Sequence, residues 1–182
     1  MATITSLPAD RTQAGLWSWG FRPFFLASAL WAILALAVWI DLYLGGGALP
    51  SRFDPLSWHI HEMLFGFIMA AVAGFMLTAI PNWTGRAPLK GGRLAALAGL
   101  WLLGRVACLF SAALPLWSTA VIDLAFPVAI CIVAARELVA ARNWRNLAMP
   151  VPVAVLGIAN LLMYLELAGR DIPAGVGWRL TM

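Results

Sequence analysis

Between Trp58 and Ile80 the chain reads WHIHEMLFGFIMAAVAGFMLTAI. His59, His61 and Glu62 stand at its start, and apart from Thr78 the remainder carries no strongly polar side chain. As a helix rising 1.5 Å per residue, such a run reaches about 34 Å, enough to cross the roughly 30 Å hydrocarbon layer of a bilayer. A strand does not account for it, because the run is too long and its apolar residues do not alternate with period two.

Four more runs of the same kind flank it, and together the spacing predicts helices over 24–44, 58–80, 93–114, 117–138 and 147–167. The breaks between them are Gly45-Gly46-Gly47 with Pro50, Pro81 through Gly92, Pro115, Arg142 through Arg145, and Gly169 onward. The expected fold class is therefore all-α: a polytopic transmembrane bundle of about five spans, forming a single membrane domain over 1–182. Composition agrees. Hydrophobic residues make up 63% of the chain and charged residues 11%, under half the share usual in soluble domains. Mean hydropathy is +0.88. The polar lead before Arg22 and the length of the first run argue against a cleaved secretory signal.

The net charge of +4 does not point to nucleic acid, because the basic residues sit in short loops rather than along one face. In a membrane protein that pattern reports orientation. Arg11, Arg22, Arg86, Lys90, Arg93, Arg136, Arg142 and Arg145 fall on one side, and Arg52, Arg170 and Arg179 on the other. The first side, with the N-terminus, is expected to be cytoplasmic. Asn82-Trp83-Thr84 matches a glycosylation signal, but on that side Asn82, Trp83 and Arg86 read as an interfacial motif.

Ionisable groups inside spans are costly and mark candidate sites. Followed in their alternating directions, the five runs place these groups at one depth, in the outer half of the bundle. Asp41 and Tyr43 end the first run, and His59, His61 and Glu62 begin the second. Asp123 lies about 10 Å below the outer face, and Arg105 reaches a similar depth from the opposite direction. Asn160, Tyr164 and Glu166 close the fifth run. Arg105 and Asp123 are expected to pair, since either charge alone would be costly in hydrocarbon. Pro127 removes a hydrogen bond to the Asp123 carbonyl, which favours a kink there.

On an ideal helix His59, Glu62, Gly66 and Ala70 share one face, with His61 turned about 200° from His59. The small residues of that face leave room for close helix approach or for a flat cofactor. His59 and His61 read either as metal or haem ligands, with Glu62 in support, or as interfacial histidines near a helix start. The chain has two histidines, and two so close on one helix cannot ligate opposite faces of one haem. Met63, Met69, Met76 and Met163 read as soft copper ligands or as packing. Cys108 and Cys131 lie within apolar runs and read as packing. No catalytic constellation emerges.

Three motifs resemble the NnrS family: Leu16-Trp17-Ser18-Trp19-Gly20-Phe21-Arg22-Pro23-Phe24-Phe25, the Trp58–Phe67 stretch with its His-x-His-Glu, and Ala79-Ile80-Pro81-Asn82-Trp83-Thr84-Gly85-Arg86. They occur in order along nearly the whole chain. The resemblance implies a multi-pass protein of the bacterial inner membrane that binds haem and copper and serves nitric oxide tolerance and denitrification. It implies about twelve spans, so that this chain corresponds to the N-terminal portion, completed by further spans or another subunit. Within it His59 and His61 are the candidate ligands. Glu62, Arg105, Asp123, Asn160 and Tyr164 are the supporting polar shell. Many members carry a histidine near the position of Tyr164, a departure here.

The expected partners are the lipid bilayer and nitric oxide. Two other functions stay open: a transporter or proton relay through Glu62, Arg105, Asp123 and Glu166, and a structural bundle that assembles with a partner. The near absence of polar groups from the inner halves weighs against a continuous proton path.

Overall fold

The computed structural model describes residues 15–182; Arg11, counted above on the cytoplasmic side, lies outside them. Five helices long and apolar enough to cross a membrane run up and down: α1 Phe21–Tyr43, α2 Pro55–Thr84, α3 Gly92–Leu109, α4 Leu116–Ala140 and α5 Val151–Leu167. A short α6, Val176–Arg179, folds back onto α5. No strand occurs among the described residues. The path gathers Arg22, Arg86, Lys90, Arg93, Arg136, Arg142 and Arg145 at one end of the bundle, here the arginine end, and His59, His61 and Glu62 at the other, the histidine end.

Helix α2 is the centre of the bundle. Half of its apolar window is buried inside the protein, against 28% for α1. Ile33, Val121 and Ile132 are each more than 60% exposed, which is stable only where the surroundings are themselves apolar. Inside, Phe24 packs on Phe126 with ring centroids 5.6 Å apart, and Trp31 meets Trp101 edge-on at 5.8 Å. The small residues of α2 receive α1. A Cβ at Gly66 would collide with the Trp31 indole, and one at Gly74 with Phe24 and Phe25. Close helix approach, not a flat cofactor, fills that face.

Several boundaries differ from the expected ones for local reasons. Pro81 does not end α2. The helix continues to Thr84, whose hydroxyl donates to the Ile80 carbonyl, and stops where Gly85 turns left-handed at φ 67°. Helix α3 ends at Leu109 because Ser111 is drawn into the opposite loop, with Ser51 Oγ 3.1 Å from Ser111 Oγ and Arg52 N–H donating to Ser111 Oγ at 2.9 Å. Helix α5 starts at Val151, after a 3-10 turn over Trp144–Asn146. Helix α4 runs unbroken through Pro127.

At the start of α2, Asp54 accepts the N–H groups of Leu56 and Ser57 at 3.0 and 3.1 Å, with Pro55 in the first turn. Partial burial opposes ionisation of Asp54. Hydrogen bonds from Ser57 and Leu56 overcome it and hold the carboxyl below its ordinary value. This cap fixes where α2 begins, and so the level at which His61 and Glu62 enter the bundle.

Candidate functional site: a buried charged network at the histidine end

Within α2, residues Glu62–Ile68 form a π-helix. The wider turn carries i→i+5 bonds and leaves carbonyls open to side chains. The Gly66 carbonyl accepts from Trp101 Nε1 at 3.0 Å, and the Phe67 carbonyl from the Ser28 hydroxyl at 3.1 Å. His61 and Glu62, adjacent in sequence, both reach the interior at this turn and are wholly buried.

Around them four helices contribute one network. Arg105 Nη1 donates to Glu62 Oε2 at 3.1 Å, and Arg105 Nη2 pairs with Asp123 Oδ1. Trp31 Nε1 also donates to Glu62 Oε2, at 2.7 Å. Asp123 Oδ2 accepts from Asn160 Nδ2 at 2.9 Å and from the Tyr164 hydroxyl at 3.1 Å. His61 Nε2 lies 3.0 Å from Asn160 Oδ1 and 3.1 Å from Asp123 Oδ2, while Nδ1 lies 3.1 Å from Glu62 Oε1. Two carboxylates thus face one guanidinium, and every member but the partly buried Trp31 is at most 2% exposed. Buried charge is tolerated at such cost only when paired and hydrogen-bonded. The excess of one negative charge favours a further cation or proton beside His61.

Cys108 completes the picture. It lies one helical turn beyond Arg105 on α3, and its Sγ is 3.5 Å from His61 Nδ1. His61, Glu62 and Cys108 offer three ligand atoms within 4.8 Å of one another, all buried. Tetrahedral bonds of 2.0–2.3 Å place ligand atoms about 3.3–3.8 Å apart, close to the 3.1 and 3.5 Å found on either side of Nδ1. Nε2 faces only acceptors, Asp123 and the Asn160 oxygen, so it carries a proton and leaves Nδ1 for a metal. Metal-binding histidines are commonly oriented in this way. Phe53 and Tyr164 close the site. The Phe53 ring centroid is 5.0 Å from that of His61 and 5.6 Å from that of Tyr164.

The family model described as "NnrS protein" matches residues 15–182. The chain belongs to the NnrS family. No curated protein and no solved structure matches it. With its five apolar helices, this NnrS chain is a membrane protein.

The residues singled out in this NnrS chain fall into three groups. His61, Glu62, Arg105, Asp123, Asn160 and Tyr164 come together in the network. His59 does not: its ring stacks on Trp39 at 4.7 Å, and its Nδ1 is buried without a hydrogen-bond partner. His59 and Glu62 do both meet α1, through Trp39 and Trp31, but His59 lies nearer the end of the bundle and makes no contact with the charged network. Asp41 and Tyr43 are exposed, and Glu166 holds the Gly175 N–H instead. At the arginine end Arg86 pairs with Glu137, Trp83 offers its carbonyl to Asn143 Nδ2 at 2.9 Å, and Asn82 is exposed.

Sequence reasoning missed Cys108, Trp31 and Phe53. A signal existed for Cys108, since positions three apart on a helix share a face and Arg105 already marked that face. None existed for Trp31 or Phe53, which arrive from α1 and a loop.

Proposed function

We propose that this NnrS chain is a copper-binding membrane protein of the nitric oxide response, active in denitrifying or nitric oxide-exposed bacteria. His61 Nδ1, Glu62 Oε1 and Cys108 Sγ would hold the metal. The observation that carries this reading is their convergence in an enclosed site whose histidine is already oriented through Nε2. Imidazole and thiol donors suit copper, and the excess negative charge of the network favours a cation. Copper bound there would supply a centre for nitric oxide, which is small, neutral and soluble in lipid.

The chain's own residues set up that centre. Asp123 and Asn160 fix the His61 tautomer. Arg105 and Trp31 hold Glu62 Oε2 and leave Oε1 directed at His61. Phe53 and Tyr164 exclude water. The haem implied by family resemblance does not fit these five helices. The small-residue face of α2 is filled by Trp31, Phe24 and Phe25, and the His61 ring is wholly buried, packed against Phe53 and Phe65. We assign haem to the further spans that the resemblance implies, and the arginine end to the cytoplasmic side of the inner membrane.

Purified chain reconstituted with copper should bind about one ion at this single site. Cys108→Ser should reduce copper to background while the helical spectrum is unchanged. A folded chain that holds no copper, or a Cys108→Ser variant that keeps it, would overturn the proposal. A second reading, that the network only locks helices together, is favoured by how nearly complete its hydrogen bonding is: Arg105 Nε alone within it has no partner. The copper measurement separates the two.

A further inference from the structure

At the arginine end, far from the charged network, two cavities of about 480 Å³ each lie between helices. They are continuous, sharing Leu89, Arg93, Val133, Arg136 and Glu137 as walls. Arg86 and Thr84 border the first cavity, and the second runs down the α3–α4 groove past Ala96 and Leu97 to Leu100. From Arg93 to Leu100 the groove descends about 10 Å into the level of the hydrocarbon. Each volume is within the range of small-molecule sites, about 300–1,000 Å³.

The charges at its mouth are unbalanced. Three arginines face Glu137, and Arg86 already pairs with that carboxylate. Arg93 and Arg136 are exposed, and neither makes a hydrogen bond or ion pair among the described residues. A cationic mouth at the water interface above an apolar groove matches one class of ligand, an anionic head on an acyl chain. Arginine suits a phosphate in particular, because its planar fork donates two parallel hydrogen bonds. Basic pockets between transmembrane helices hold acidic phospholipids by this chemistry.

We propose that this cleft binds one anionic phospholipid, with its phosphate between Arg93 and Arg136 and an acyl chain along Ala96, Leu97 and Leu100. The site differs from the general attraction of interfacial arginines to headgroups in having a walled groove beneath it. Arg142 and Arg145 lie at the same end but line neither cavity, so they provide an internal control. A zwitterionic lipid would bring its own cation against the arginines and is disfavoured.

The test is native mass spectrometry of the full chain, purified in detergent and exposed to equal amounts of phosphatidylglycerol and phosphatidylcholine. One phosphatidylglycerol should be retained per chain with about tenfold preference over phosphatidylcholine. Arg93→Gln combined with Arg136→Gln should bring the two lipids close to parity, and Arg142→Gln with Arg145→Gln should leave the preference intact. Ala96→Trp keeps every charge and fills the groove, and it should also reduce retention; it tests the site even where the double arginine variant fails to fold. Millimolar inorganic phosphate should not displace the lipid. Equal retention of both lipids, equal damage from the control pair, full retention in Ala96→Trp, displacement by phosphate, or a second protein chain in the cleft would each overturn the proposal.

Discussion

Arg105 is the residue on which most of the buried charge depends, since it pairs with Glu62 and Asp123 at once. Arg105→Met leaves two carboxylates without a guanidinium and should cost about 3–5 kcal/mol. Tyr164→Phe removes one of several hydrogen bonds to the Asp123 carboxylate and should cost about 1.5–3 kcal/mol. Reversible unfolding in mixed micelles checks both, and the order of the two effects is the decisive outcome. Much of this was legible beforehand. Counting 1.5 Å per residue along opposed helices brings Arg105 level with Asp123, and places Asn160 and Tyr164 in the same outer half. What hid Cys108 was its chemistry, because a thiol in an apolar run resembles any other small buried side chain until a histidine is found beside it.

At the scale of elements, the helices were readable from length and apolar content, and the π-helix was not. Nothing in Glu62–Ile68 breaks the apolar pattern, yet the wider turn begins where Glu62 and its neighbour His61 enter the network. Helix ends were misjudged where loops determine them, as with Ser111 and its bonds to Ser51 and Arg52. The α3–α4 contact gives a sharper expectation. A Cβ at Gly104 would lie 3.2 Å from the Asp123 Cα and closer still to its carboxylate, whereas one at Gly99 meets nothing within 4 Å. Gly104→Ala should therefore destabilise the bundle by about 1–3 kcal/mol and lower copper retention. Gly99→Ala should stabilise α3 by up to about 1 kcal/mol. Unfolding midpoints of the two variants should move in opposite directions.

For the whole molecule, orientation rests on the distribution of arginines. Ala48 lies in the exposed loop at the histidine end and Ala87 in the exposed loop at the arginine end. With the native thiols replaced, Ala48→Cys should react with a membrane-impermeant maleimide in intact cells, and Ala87→Cys only after permeabilisation. The reverse pattern would invert the topology and place the candidate copper site toward the cytoplasm. The same layout concentrates the buried charge at one end, leaving the other half of the span to apolar contacts.

That the network draws its members from separate helices has a consequence for biogenesis. Glu62 precedes Arg105 by 43 residues, and Arg105 precedes Asp123 by 18. At about 5–20 residues per second, a nascent chain carries the Glu62 carboxylate for about 2–9 s before its first cationic partner has been synthesised. A lone ionised side chain within a span opposes release from the translocon, by about 2.5–3.5 kcal/mol at the helix centre and by less toward its end. Helices α2 and α3 are therefore expected to leave the insertion machinery together, with a product interrupted before Arg105 held back at its exit.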